Sequence, residues 1–169
     1  ARFAGIEPET ILRGLLGFEG VARRQEVRGV SAGGVTVVDD FAHHPTAIRE
    51  ALKGMRRRFD GARVWAVFEP RSNTTRRNIF QRELPEALGE ADAVCVSAVE
   101  NPEKVAEGKR LDPERVIAVL REKGIPAFYE PGADSIVERL KKESRAGDVV
   151  IVLSNGGFGG IHEKLLQAL

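Results

Sequence analysis

Cysteine is almost missing from the chain. The one present, Cys95, leaves no intrachain disulfide possible, which excludes the disulfide-stapled secreted scaffolds and fits a reducing compartment. A cytoplasmic location is therefore expected. Cys95 lies in the apolar run ADAVCVSAV, where a thiol reads as a small core residue rather than a nucleophile. An excess of charge of one sign is missing too. Lys and Arg number 26 against 25 Asp and Glu, a formal net charge of +1, so no global field draws the chain to nucleic acid or to a membrane surface. Clusters such as Arg56-Arg57-Arg58 then read as solvated helix ends. No apolar run approaches the ~20 residues of a membrane-spanning helix, and no signal-like apolar segment opens the chain. Histidine is scarce, with three in all. Two are adjacent, His43 and His44. Their side chains diverge and no cysteine or third histidine clusters with them, which argues against a tetrahedral zinc set.

What is there is ordinary in bulk. The chain has 169 residues, 42% hydrophobic and 30% charged, enough for one domain with a substantial core. It opens at Ala1 without a methionine, so a piece of a longer protein is expected. Short apolar runs alternate with amphipathic segments of helix length. The runs at 25–30, 35–38, 63–68, 93–96, 127–129 and 149–153 predict strands. Most lack strict alternation, so both faces of their sheet should be covered. Helices are predicted over 44–59, with Pro45 in its first turn, 74–88, with a break at Pro85, 112–123 with an Asp-Pro start, 133–144 and 160–169. A short helix is expected near Pro8–Leu16. Strand–helix alternation implies an α/β fold, a Rossmann-like doubly wound and mainly parallel six-stranded sheet with helices on both faces. The first two strands are joined only by Ser31–Gly34, too short for a parallel crossover, so they should form a hairpin and one antiparallel edge strand.

In such a sheet ligands bind beyond the carboxyl ends of the strands. Three loops with unusual chemistry fall there. Asp39–Pro45 puts two acids before two histidines at a helix start. A carboxylate there can meet ribose hydroxyls, and imidazoles with free backbone N–H groups can face an anion. A capping aspartate and a histidine satisfying loop carbonyls would give the same pattern. Glu69–Arg77 sets Arg71 just past a strand, where a guanidinium can fork onto carboxylate or phosphate. It is followed by Ser72, Asn73 and Thr74, which would equally serve as helix caps. Ser154–Gly160 has four glycines in a strand-to-helix turn, which lets backbone approach a ligand closely.

The segment Phe18-Glu19-Gly20-Val21-Ala22-Arg23-Arg24, followed by GVTVVDDFAHHPTAI, resembles the F-x-G-V-x-R-R … DDYAHHPTEI pattern of the Mur ligases, the ATP-dependent amide-forming enzymes of peptidoglycan synthesis. FEPRSNT and SNGGFGGIHEKLL resemble more closely the branch that adds a whole L-Ala-γ-D-Glu-meso-diaminopimelate tripeptide to UDP-N-acetylmuramate. The alanine-adding branch tends to carry P-H-R-Y-[ST]-R-T instead. Phe41 stands where tyrosine is common. The resemblance implies the C-terminal domain of such a ligase over residues 23–169, with 1–22 as the tail of the central ATPase domain and the hinge. The family's P-loop lies in that central domain. The chain's only Gly-Lys, Gly108-Lys109, is followed by Arg110, so ATP and Mg2+ should be held mainly by the central domain, outside this chain. The UDP-sugar-binding N-terminal domain should lie outside it as well.

The resemblance also implies roles. Arg24 would meet nucleotide phosphates, Asp40 the ribose region, and Phe41 the nucleotide. His43 would lie near the phosphates or reacting centre and is the candidate catalytic residue. Arg71 and Ser72 would hold the acceptor, with Ser154, Asn155, Gly156 and Gly157 lining its pocket. Asn101-Pro102 resembles the acceptor motif D-N-P-R of the diaminopimelate-adding branch, but Glu103 stands at the arginine position, with Lys104 beside it. The expected partners are UDP-N-acetylmuramate, the murein tripeptide, and the N-terminal and central domains of the same chain. The isolated domain should not ligate. An alanine-adding ligase domain is the nearest alternative, and a stand-alone nucleotide-binding module the next.

Overall fold

A computed structural model describes residues 2–18 and 20–169. A short helix α1 (Pro8–Leu16) comes first. The body then runs β1 (Glu26–Val30), β2 (Thr36–Asp40), α2 (Pro45–Arg58), β3 (Val64–Phe68), α3 (Glu83–Leu88) and β4 (Ala93–Ser97). It continues through α4 (Pro113–Glu122), β5 (Ala127–Glu130), α5 (Ala133–Glu143), β6 (Val149–Leu153) and α6 (Ile161–Ala168). The strands form one six-stranded sheet in the order β1-β2-β6-β3-β4-β5. All neighbours pair parallel except β1, which pairs antiparallel with β2. The expected architecture is therefore the observed one, and the loop Ser31–Gly34 turns the expected hairpin.

Val-rich strands form because both their faces are buried. On one face α2, α3 and α4 press Ile48, Leu52, Met55, Leu84, Leu88 and Leu120 onto Val64, Ala66, Phe68 and Ile151. On the other, α5 and α6 press Ile136, Leu140, Ile161 and Leu165 onto Trp65, Val67, Val150 and Val152. Cys95 belongs to this second layer. Burial pushes its thiol up to about 12, with the Glu130 carboxylate adding to the rise, so it is an inert core residue.

Two expectations change. Strand β2 runs on through both acids because it stays in parallel register with β6, pairing Asp39 with Val152 and Asp40 with Leu153. Helix 74–88 does not form as one piece. Segment 76–77 pairs with 110–111 instead: the Leu111 N–H donates to the Arg76 carbonyl at 2.9 Å, and Arg77 bridges Arg110. Only Glu83–Leu88 is α-helical, and Pro85 sits within its first turn, where a missing N–H costs nothing. The break lies upstream of Pro85, not at it. Elsewhere Pro45 opens α2 as expected, and the Asp112 carboxylate caps α4 by accepting from the Arg115 N–H at 3.0 Å.

Among the described residues no helix is long and apolar enough to cross a membrane. Helix α1 buries none of its side chains; Leu12, Leu15 and Leu16 are all exposed.

Candidate functional site

Strands β2, β6, β3 and β4 lie side by side and parallel, so the loops that follow them meet at one edge. Strand β6 lies between β2 and β3, and the helix that follows it, α6, packs on the opposite face of the sheet from α2 and α3, which follow β2 and β3. That is the switch point at which doubly wound sheets bind ligands.

The β2 loop is tightly held. Asp40 is buried, and its carboxylate accepts from the Ala42 N–H at 2.7 Å and the Gln25 N–H at 2.9 Å. Burial raises its pKa, and the two backbone donors and the Arg24 charge oppose the rise. Both oxygens are thus engaged in shaping the loop. Two guanidiniums lie near the Phe41 ring, with Arg23 at 5.2 Å and Arg24 at 5.3 Å from its centroid. The His43 ring meets its edge at 5.6 Å. His43 Nδ1 lies 3.0 Å from the Phe41 carbonyl. A carbonyl only accepts, so Nδ1 carries a proton and Nε2 is left as the free position. His44 is the N-cap of α2: its Nδ1 accepts from the Thr46 N–H at 3.3 Å, and its ring packs on Phe80. Beside this loop is an open cleft of ≈ 760 Å³, lined by Arg24, Gln25, Asp40, Ala42, Glu50 and Arg58 among others.

On the β3 side, Glu69 is buried and accepts a hydrogen bond from the Ser154 hydroxyl. Burial raises its pKa, and Ser154 and Arg71 oppose the rise. Arg71 Nη1 lies 3.3 Å from Glu100 and 4.0 Å from Glu69. Arg76 reaches Glu100 from the other side at 3.0 Å. Ser72 is not a helix cap. Its hydroxyl pairs with those of Thr74 and Thr75 at 3.0 and 2.8 Å, which fixes the turn. Asn101 adopts a left-handed backbone, φ 48° and ψ 59°, in the loop whose Glu100 N–H donates to the Pro70 carbonyl at 3.3 Å. Lys104 is exposed.

The glycine loop joins the two sides. Its start is fixed by the Ser154 hydroxyl, which accepts from the Gly156 N–H at 3.0 Å. A Cβ at Gly156 would overlap the Arg71 guanidinium, so only glycine lets Arg71 lie there. The Gly156 carbonyl accepts from Arg23 Nη2 at 2.9 Å. Asn155 is half-buried with Oδ1 unpartnered, and Gly157 is exposed. The structure thus brings Arg24, Asp40, Phe41 and His43 together on one side. It brings Arg71, Ser72, Ser154, Asn155 and Gly156 together on the other, with Asn101 and Gly157 at the rim.

Sequence reasoning missed four residues here. Arg23 was passed over for its neighbour Arg24, and nothing in an Arg-Arg pair tells which one turns inward. Glu69, Glu100 and Arg76 complete the ionic cluster, and only Glu69 carried a signal, by its position at the end of β3. Among the described residues there is no group of three or more His, Cys, Asp or Glu that could hold a metal ion.

The family profile "Mur ligase, glutamate ligase domain" matches residues 23–156. The chain belongs to the Mur ligase family. It is 42% identical over 171 aligned positions to the UDP-N-acetylmuramate–L-alanyl-γ-D-glutamyl-meso-2,6-diaminoheptandioate ligase of Escherichia coli K12, covering 100% of this chain and 35% of that one. It is 35% identical to the UDP-N-acetylmuramate–L-alanine ligase of Mycobacterium sp. strain JLS, covering 98% of this chain and 34% of that one. A crystal structure of a domain from a putative tripeptide-adding ligase of Haemophilus ducreyi 35000HP superposes with a TM-score of 0.65 at 36% identity, covering 85% of this chain and 97% of that one. This Mur ligase domain spans about a third of the length of the curated relatives it matches.

Proposed function

We propose that the chain is the C-terminal, acceptor-binding domain of a cytoplasmic ATP-dependent ligase that joins the tripeptide L-Ala-γ-D-Glu-meso-diaminopimelate to UDP-N-acetylmuramate in peptidoglycan recycling. Residues 23–169 form the domain, and 1–22 are the hinge and the tail of a central ATPase domain. The observation that carries the reading is the meeting at Gly156 of a nucleotide-side loop, held through Arg23, with an acceptor-side loop, held through Arg71. The 42% identity to the Escherichia coli tripeptide ligase supports the choice of acceptor.

In the proposed reaction the muramyl carboxylate attacks the γ-phosphate of ATP and ADP leaves. The acceptor amine then attacks the acyl phosphate and inorganic phosphate leaves. ATP and the Mg2+ that offsets its charge are held mainly by the central domain. The exposed Arg24 meets the phosphates as the domain closes, and Phe41 lies against the nucleotide. Asp40 shapes the ribose-side wall by fixing the Gln25 and Ala42 N–H groups. His43, its Nδ1 proton given to a carbonyl, presents Nε2 to the phosphates or the reacting amine. Arg71 exchanges its glutamate partners for an acceptor carboxylate, while Ser72, Asn101 and Ser154–Gly157 line the pocket. The domain contributes orientation and electrostatics. The isolated chain is therefore expected to make no amide.

The second reading, an alanine-adding ligase, has the 35% identity to the Mycobacterium enzyme in its favour. The complete enzyme assayed for ATP-dependent ligation with tripeptide and with alanine separates the two. A higher kcat/KM for tripeptide is expected, and a preference for free alanine would replace the first reading by the second.

A further inference from the structure

We infer that Arg23 is a positioning residue that locks the glycine loop to the nucleotide-side loop, so that the acceptor wall and the nucleotide wall form a single unit. The inference deepens the functional reading above and rests on it for the identity of the two walls. The lock itself stands on geometry. One guanidinium serves both loops: Nε donates to Asp39 Oδ2 at 3.1 Å, and Nη2 donates to the carbonyls of Ser154 at 2.8 Å and Gly156 at 2.9 Å. The same group lies 5.2 Å from the centre of the Phe41 ring.

The backbone is committed to this placement. Arg23 and Gln25 are both left-handed, at φ 58° and 50°, a costly conformation for residues with side chains. It persists because the surroundings over-determine it. The Arg23 N–H donates to Glu26 at 2.7 Å, its carbonyl accepts from the Phe41 N–H at 2.9 Å, and the Gln25 N–H donates to Asp40. Arg24, between them, is turned outward and exposed. The two arginines of the pair thus divide the work.

The counter-ion is equally committed. Asp39 is 2% exposed and takes Arg23 as its hydrogen-bonded cation, with Arg28 at 3.9 Å. His162 Nε2 lies 3.3 Å from its other oxygen but is not aligned for a hydrogen bond. Beyond the loop, Gly156 has Arg23 on its carbonyl and the Arg71 guanidinium against its Cα. Releasing Arg23 therefore loosens the surface that Arg71 rests on, although Arg23 need not touch the acceptor. Lysine cannot substitute, because one ammonium on a flexible stem does not reproduce a planar fork with three fixed bonds.

The test uses Arg23→Lys and Arg23→Ala in the complete enzyme, with the exposed Arg57→Ala as control. Both Arg23 variants are expected to raise the acceptor KM about tenfold or more while kcat falls less, and lysine is expected not to rescue. An unchanged acceptor KM, or full rescue by lysine, would overturn the lock. Arg23→Lys is read alone if Arg23→Ala does not fold. A second readout is independent of activity: in amide spectra of this chain, Arg23→Lys should shift the Gly156 and Gly157 resonances strongly and leave those of β4 in place. A wild-type enzyme that ligates neither acceptor would remove the functional reading, while the spectra would still decide whether the lock exists. Unmoved glycine resonances would refute it.

Discussion

The two ends of the sheet use the same chemistry to opposite effect. At the amino ends of β3, β4 and β6, arginines meet the buried Asp148 and the part-exposed Asp92, and every partner is supplied. Asp148 accepts from Arg63 Nη2 at 2.6 Å, from Trp65 Nε1 at 3.1 Å and from the Arg145 N–H at 3.1 Å. Asp92 accepts from the Val64 N–H at 2.8 Å and from Arg56. At the carboxyl ends the pairing is incomplete. The buried side-chain atoms without a hydrogen bond, among the described residues, are Asp39 Oδ1, Arg76 Nε, Asn155 Oδ1 and His162 Nε2, and all lie at or behind the site loops. An unmet buried polar atom costs free energy. Two of these atoms, Asp39 Oδ1 and His162 Nε2, lie 3.3 Å apart and face each other. The saturated end holds the sheet together, and the unsaturated end is the one proposed to bind substrate.

The sharpest way to break this contrast is at the saturated end. Asp148→Ala leaves Trp65 Nε1, the Arg145 N–H and the Arg63 guanidinium without their shared acceptor. It should cost about 3 kcal/mol, the lower end of the range for breaking a buried pair, because Arg63 and Arg145 stay partly solvated. Urea unfolding reads the loss, and acceptor KM in the complete enzyme should not change. A shifted KM would mean the two ends are not separable.

At the unsaturated end the order reverses. Arg71→Ala should raise the acceptor KM about tenfold to a hundredfold, the loss of one bidentate charged contact, with ATP KM and thermal midpoint nearly unchanged. A rise in ATP KM instead would move Arg71 to the nucleotide side.

The smallest effect is that of pH. His162 has its pKa lowered by burial, with Asp39 opposing and Arg28 reinforcing; Glu163 and Arg23 also face it. The unfolded chain therefore binds the proton more readily. Stability from this group is complete above about pH 6.5 and is lost as pH falls toward the folded value. Asp40 and Glu69 act in the opposite sense, since their raised values let the fold take up protons first on acidification. Comparing unfolding at pH 7.5 and 5.5, His162→Gln should show a smaller acid-induced loss than the wild type. An equal loss would assign the pH response elsewhere.

Sequence made most of the fold legible because strand and helix periods are local. Val149–Leu153 and Pro45–Arg58 announce themselves by composition and by the proline at N1. The helical pattern of 74–88 misleads because what decides the segment is remote: residues 76–77 pair with 110–111, a contact no local pattern predicts. The site was legible as three loops, since Asp40, Arg71 and Gly156 each sit in a recognisable motif. Their partnerships were not. That Gly156 is a glycine because Arg71 lies on it, and that Arg23 rather than Arg24 turns inward, are consequences of packing between strands distant in sequence.

The most direct test of the acceptor site is an amide-shift titration of this chain with the tripeptide. Perturbed resonances are expected to cluster at Arg71, Ser72, Asn101 and Ser154–Gly157 and to spare Arg63, Asp92 and Asp148. Perturbation centred on the amino end of the sheet, or a carboxyl edge left unmoved at millimolar peptide, would contradict that placement.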